Sequence, residues 1–242
     1  TTKGFRDIYE MRRGIRLTSM YNLFVPPYEP LVPRYLRIGV EERTEHTGEV
    51  LTALSEADVR SALEYFRSQG IQSVAICYLH SYANATNEQR TQEIANKLHP
   101  EVYTITSHET LPVWREFERF STTVVAAYVG PVVDKYLGNL EQRLKNAGHK
   151  GTVLIMLNSG LVQTVEKCRR NAVRMLGSGP AAGPSSAVYW GARAGSDNVI
   201  SLDVGGTTTE IALITKGEIP TSNAAWVSEE HIAVKQVDAP VL

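Results

Sequence analysis

Cysteine is scarce: only Cys77 and Cys168 occur in 242 residues, far apart and in no metal or redox spacing. Usage this sparse provides no disulfide framework and suits a reducing compartment. No apolar run reaches the length that crosses a bilayer. Neither sign of charge prevails, since 25 Lys and Arg face 26 Asp and Glu for a formal net charge of -1. That balance excludes a protein whose main task is to coat nucleic acid or an anionic membrane. The basic pairs Arg12-Arg13 and Arg169-Arg170 are too short to change this. The start, Thr1-Thr2-Lys3-Gly4-Phe5, has neither an initiator Met nor a signal-peptide core. These absences together point to a cytoplasmic chain read from within a longer one.

What is present describes an ordinary globular protein, 43% hydrophobic and 21% charged, long enough for one large or two small domains. Pro26-Pro27, Pro30 and Pro33 forbid a regular helix near the start. Arg37 to Arg43 alternates like a half-buried strand, with a turn at Thr47-Gly48. Ser55 caps a helix on which Val59, Leu63 and Phe66 recur at helical spacing, and Gly70 ends it. Ser73 to Leu79 reads as a buried strand, followed by a helix over Asn87 to Leu98 and a strand over Val102 to Thr106. Strand, helix, strand is the order of an α/β layer. Trp114 to Ala147 is helical nearly throughout, with a kink or break expected at Gly130-Pro131; Val124, Tyr128, Val132, Tyr136 and Leu140 step along it by four. A second buried strand is expected over Thr152 to Leu157 and a small helix over Thr164 to Arg170. Gly177 to Ser186 reads as a loop of small residues before a short helix from about Ala187 to Arg193. Val199 to Ile214 reads as strand, glycine turn, strand.

That last segment carries the sharpest chemical signal, Asp203-x-Gly205-Gly206-Thr207-Thr208-Thr209 between two apolar strands. Adjacent glycines let backbone approach an anion without Cβ obstruction, and successive N–H groups can cradle phosphate oxygens. The Thr207, Thr208 and Thr209 hydroxyls add donors, and Asp203 at the strand end is placed to hold Mg²⁺ or its water. A carboxylate beside phosphate makes sense when a cation intervenes. A plain Gly-Gly hairpin needs neither the Asp nor the threonine run, whereas the phosphate hairpin of the actin and sugar-kinase nucleotide-binding superfamily has this form. A tight turn of this kind also predicts that a β-branched residue at Gly206 cannot take the backbone angles.

Ser178-Gly179-Pro180-Ala181-Ala182-Gly183 is neither a Walker A loop, a dinucleotide fingerprint nor a nucleophile elbow. Ahead of a helix, Ser178 and Gly179 could still offer backbone N–H groups to an anion, and tight packing on a sheet explains the stretch equally well. His108-Glu109 reads as a polar loop pair, and Arg115, Glu116, Glu118 and Arg119 as a solvated, ion-paired helix face. No metal-ligand spacing and no nucleophile-base constellation can be assembled, and no catalytic base is singled out.

With these residues in hand, the chain resembles the hydantoinase A/5-oxoprolinase family. The matching pieces, in order, are Thr1 to Asp7 (TTKGFRD), Ser107-His108-Glu109 with Leu111-Pro112, and Arg115 to Arg119 (REFER). Ser121-Thr122-Thr123, Ala127-Tyr128-Val129, Pro131-Val132, Ser178 to Gly183 (SGPAAG) and Asp203 to Glu210 (DVGGTTTE) continue the match. Departures are Glu210, where the family hairpin often ends in Asp, Ala126 in place of Asn, and Asn158-Ser159-Gly160 in place of a Gly-Gly pair.

The resemblance implies an α/β fold with RNase-H-like, actin-like ATPase layers, a mixed sheet flanked by helices and incomplete at both ends. It implies a boundary near residue 120: residues 1–120 the distal part of the N-terminal region, residues 121–242 the start of the nucleotide-binding domain. It further implies an A-type subunit of an ATP-dependent cyclic amide hydrolase, with ATP and Mg²⁺ as cofactors and a small cyclic amide or ketone as substrate. A B-type subunit is the implied partner in a hetero-oligomer. An ATP-dependent acetone or acetophenone carboxylase subunit is the alternative enzyme, sharing the same residues. A non-catalytic remnant is the alternative of another class, disfavoured because Asp203 and the glycines are intact.

Overall fold

The computed structural model describes residues 1–14, 21–24, 28–206 and 208–239. In chain order its elements are α1 (Ile8–Met11), β1 (Arg43–Thr44), β2 (Val50–Thr52), α2 (Glu56–Ser68), β3 (Ser73–Ile76), α3 (Thr86–Leu98), β4 (Tyr103–Thr106), α4 (Ser107–Thr110) and α5 (Glu116–Asn146). There follow β5 (Leu154–Met156), β6 (Val162–Thr164), α6 (Val165–Arg170), α7 (Ser178–Arg193), β7 (Val199–Val204), β8 (Thr209–Ile214), β9 (Thr221–Ser222), β10 (Ala225–Val227), β11 (Glu230–Ile232) and β12 (Gln236–Val237). They divide into two compact units, residues 1–132 with 226–233 and residues 133–225 with 234–242. Prolines 26 and 27 fall outside the described residues.

In the first unit β3 and β4 run parallel, Ser73 opposite Tyr103 through Ile76 opposite Thr106, joined by α3. The expected capping holds in geometry, because the Ser55 hydroxyl accepts the Asp58 N–H at 3.2 Å. Gly70 then ends α2 at φ +68, a left-handed position that glycine takes without strain. On one side of β3, Ile76 and Tyr78 pack with Val59 and Leu63 of α2, Ile94 and Ala95 of α3, and Val40. On the other side, Cys77 and Leu79 pack with Phe120 of α5 and against Phe5 and Ile8. The strand expected over Arg37 to Arg43 does not form. Val40 makes one parallel bridge to Thr2, Arg34–Leu36 is a 3-10 turn, and pairing starts at Arg43. Arg37 is instead buried, its guanidinium 2.5 Å from Glu10.

Helix α5 runs continuously through Gly130-Pro131, so of the kink or break expected there the break does not form. Pro131 has no N–H for the Ala127 carbonyl four residues back. The Ser73 hydroxyl takes that place, donating to the Ala127 oxygen at 2.6 Å. Gly130 serves close approach, since a Cβ there would lie 2.2 Å from the Tyr103 ring. Steps of four gain about 40° per step on a 3.6-residue helix. The line accordingly winds from buried Val124 to exposed Tyr128, Val132 and Tyr136.

In the second unit β5 pairs with β6, β7 with β8 and β9 with β12, all antiparallel. Leu137 of α5 packs with Leu157, Val165 and Cys168 in its core. Both cysteines are free and buried, and burial pushes the Cys77 thiol up to about 12. Among the described residues, no helix is long and apolar enough to cross a membrane.

Candidate functional site

The hairpin expected over Val199 to Ile214 forms in register, Val199 opposite Ile214 through Val204 opposite Thr209. The two-residue period sends Val199, Ser201 and Asp203 to one face with their partners Ile214, Ala212 and Glu210. Ala212 and Ile214 are buried on that face, while Ile200, Leu202, Val204 and Leu213 are exposed on the other. The connection is closed by the Gly205 N–H donating to the Thr208 oxygen at 2.9 Å. Thr207 lies outside the described residues. Gly205, Gly206 and Thr208 are exposed and Thr209 is half-buried.

Neither Gly205 nor Gly206 adopts the left-handed conformation, and a Cβ on Gly206 would meet nothing within 4 Å. The expectation that the backbone angles forbid a larger residue at 206 is therefore corrected. What the pair contributes is bare main chain at an exposed turn.

Asp203 stands directly opposite Glu210. Like charges at opposed cross-strand positions repel, a cost that an intervening cation removes. Mg²⁺ suits such a donor set, because it takes one or two carboxylates and completes its shell with waters and phosphate oxygens. Among the described residues, no group of three or more His, Cys, Asp or Glu side chains could enclose a metal ion.

The small-residue stretch is helix from its second residue, which corrects its reading as a loop. Gly177 takes φ +73 ahead of α7, so Ser178 and Gly179 are the first two helical residues. Pro180 sits in the first turn, where no N–H is needed. The glycines of α7 permit contact with β7: a Cβ on Gly191 would lie 2.5 Å from Val199, and one on Gly183 3.3 Å from the Ser201 hydroxyl. With residue 183 beside 201 and residue 191 beside 199, α7 runs opposite to β7. Its N-terminal end is thus directed to the turn end of the hairpin, where free N–H groups and the positive end of the helix dipole favour an anion.

The sequence reading missed a buried constellation in the first unit. Glu88 of α3 is buried and accepts from the Tyr78 N–H at 2.8 Å, the Ser107 hydroxyl at 2.6 Å and the His108 N–H at 2.9 Å. His108 Nδ1 lies 3.0 Å from the same carboxylate. Arg119, expected on a solvated face, is wholly buried. It donates to the Ser107 hydroxyl, the Val113 carbonyl and the Tyr78 carbonyl at 3.1, 2.8 and 2.9 Å. Burial holds its guanidinium below the usual arginine range, and Glu88 opposes that shift. Every polar atom named here has a partner, so the constellation fixes the start of α5 against α4 and the end of β3. The signal that could have found it is Glu88, an acid on the helical stripe that carries the buried Thr91, Ile94 and Ala95 of α3.

Comparison with known proteins gives the family and the fold. The hydantoinase/oxoprolinase sequence model matches residues 119–241, and that of the hydantoinase/oxoprolinase N-terminal region matches residues 1–99. An uncharacterised protein of Methanocaldococcus jannaschii is 36% identical over 95% of this chain and 34% of its own length. Caprolactamase subunit alpha of Pseudomonas jessenii is 34% identical over 100% of this chain and 35% of its own. The crystal structure of that ATP-dependent caprolactamase matches with a TM-score of 0.87 at 32% identity, covering 100% of this chain and 35% of that one. A nucleotide-free acetone carboxylase structure matches with the same TM-score, 0.87, at 28% identity and the same coverage, 100% and 35%. The chain thus spans about a third of the length of these relatives, with a mixed α/β fold common to both solved structures. It belongs to the hydantoinase/oxoprolinase family.

Proposed function

We propose that this chain is part of an A-type subunit of an ATP-dependent cyclic amide hydrolase, and that the β7–β8 turn holds Mg-ATP. The observation that carries the reading is the turn itself. Bare main chain at Gly205 and Gly206 and the opposed carboxylates Asp203 and Glu210 lie at one end of the hairpin, and the N-terminal end of α7 is directed toward that end. Phosphate oxygens are held by the N–H groups of Gly206 and Thr208 and by the Thr207, Thr208 and Thr209 hydroxyls, while Gly205, whose own N–H closes the turn on the Thr208 oxygen, leaves the main chain bare for close approach. Ser178 and Gly179 add the free N–H groups of α7. Asp203 holds the Mg²⁺ or one of its waters.

When bound, Mg-ATP supplies a phosphoryl group that activates an otherwise unreactive amide carbonyl oxygen before the ring opens. The residues named here orient that group and stabilise its charge; none of them is a nucleophile. A B-type subunit completes the enzyme, as the naming of relatives as subunits supports.

A ketone carboxylase subunit is the second reading, favoured by the likeness to the acetone carboxylase structure. The two separate in one assay. The intact subunit, co-expressed with its partner, is given Mg-ATP and either a panel of lactams and hydantoins or acetone and acetophenone with bicarbonate. Phosphate release stimulated by a cyclic amide is the expected result. Stimulation by ketone with bicarbonate alone selects the carboxylase, and stimulation by neither defeats both.

A further inference from the structure

Strand β3 has the sequence of an interior strand and the neighbours of an edge strand. Its side chains are apolar toward α2 and α3 on one face and toward α5 on the other. Strands buried on both faces belong inside parallel sheets, with a partner on each side. β3 has β4 on one side, and among the described residues no strand pairs along its other margin.

A cavity of about 540 Å³ opens along that free margin. Residues 73–77 form its inner wall. Val59, Leu63 and Phe66 of α2 close it on one side, and Val124 and Tyr128 of α5 on the other. The space is therefore a slot in the plane of the sheet, bounded by a helix above and a helix below. A compact apolar ligand would use the side-chain walls and leave the main-chain donors and acceptors of β3 unmatched. An extended peptide matches both, as in strand addition to an open sheet edge.

We propose that this slot accepts an extended, apolar stretch of the same polypeptide, lying outside these 242 residues, which pairs with β3 between α2 and α5. The relatives are about three times as long as the part matched here, so they carry ample chain to supply such a stretch. The proposal is independent of the nucleotide reading.

The test uses the natural polypeptide that carries this sequence. The photo-crosslinker p-benzoylphenylalanine replaces Tyr128 in one preparation and Phe66 in another, on opposite walls of the slot. Cross-links are mapped by mass spectrometry, and backbone amide exchange is followed across residues 73–77 in the unsubstituted protein. The expected result is an intramolecular cross-link from both positions to one apolar segment outside residues 1–242. The β3 amides that point away from β4 should then exchange at least about 100-fold more slowly than in an unstructured chain. A cross-link to a second copy, a small apolar molecule released on denaturation, or freely exchanging outer amides would each overturn the proposal.

Discussion

Arg119 places a full positive charge where water does not reach, and its cost is met by three acceptors and by the nearby Glu88. One of those acceptors, the main-chain carbonyl of Tyr78, is buried and has no water to turn to if the guanidinium is removed. Arg119→Met keeps most of the volume and deletes the donors. It should cost about 3–5 kcal/mol, read as a lowered midpoint in urea denaturation. A loss below about 1 kcal/mol would mean the network is not holding these segments. The turn residues contrast with this: Gly205, Gly206 and Thr208 are exposed and the fold asks little of them.

Element by element, packing decides what local propensity leaves open. α5 survives Pro131 because Ser73 satisfies the stranded carbonyl, and it approaches β4 because residue 130 has no side chain. Gly130→Ala would raise helix propensity yet should destabilise by about 1–3 kcal/mol, because its Cβ overlaps the Tyr103 ring. Combined with Tyr103→Ala, the loss should fall short of the sum of the two single losses; strict additivity would refute the contact. The hairpin, α2 and α3 were legible in the sequence because their signals are local: a period of two, a capping serine, a glycine stop. The start of α7 was not, since Gly and Pro at residues 177–184 carry a loop signature that only contact with β7 overrides. Nor was the burial of Arg119, because a mixed-charge run reads alike on a wet face and beneath one. The unbroken α5 depends on Ser73, more than fifty residues away, which no window of sequence contains.

At the scale of the whole chain, two histidines set a pH dependence. Burial holds His80 and His231 below the ordinary histidine value near 6.5, against the pull of Glu116 and Glu118 respectively. The unfolded chain therefore binds more protons than the folded one as pH falls through that value, and stability drops with it. Stability should be greater at pH 7.5 than at pH 5.5, and the slope should shrink in His80→Gln and His231→Gln; a flat profile would count against both placements. The central claim, that the β7–β8 turn holds Mg-ATP, is tested most directly by calorimetric titration of the intact subunit and its Asp203→Ala variant. Asp203 is exposed, so the variant should keep its thermal midpoint and circular dichroism. The account predicts that it loses Mg-ATP binding by about 100-fold or more. Unchanged affinity in a folded variant would mean the hairpin is a structural turn and the nucleotide site lies elsewhere.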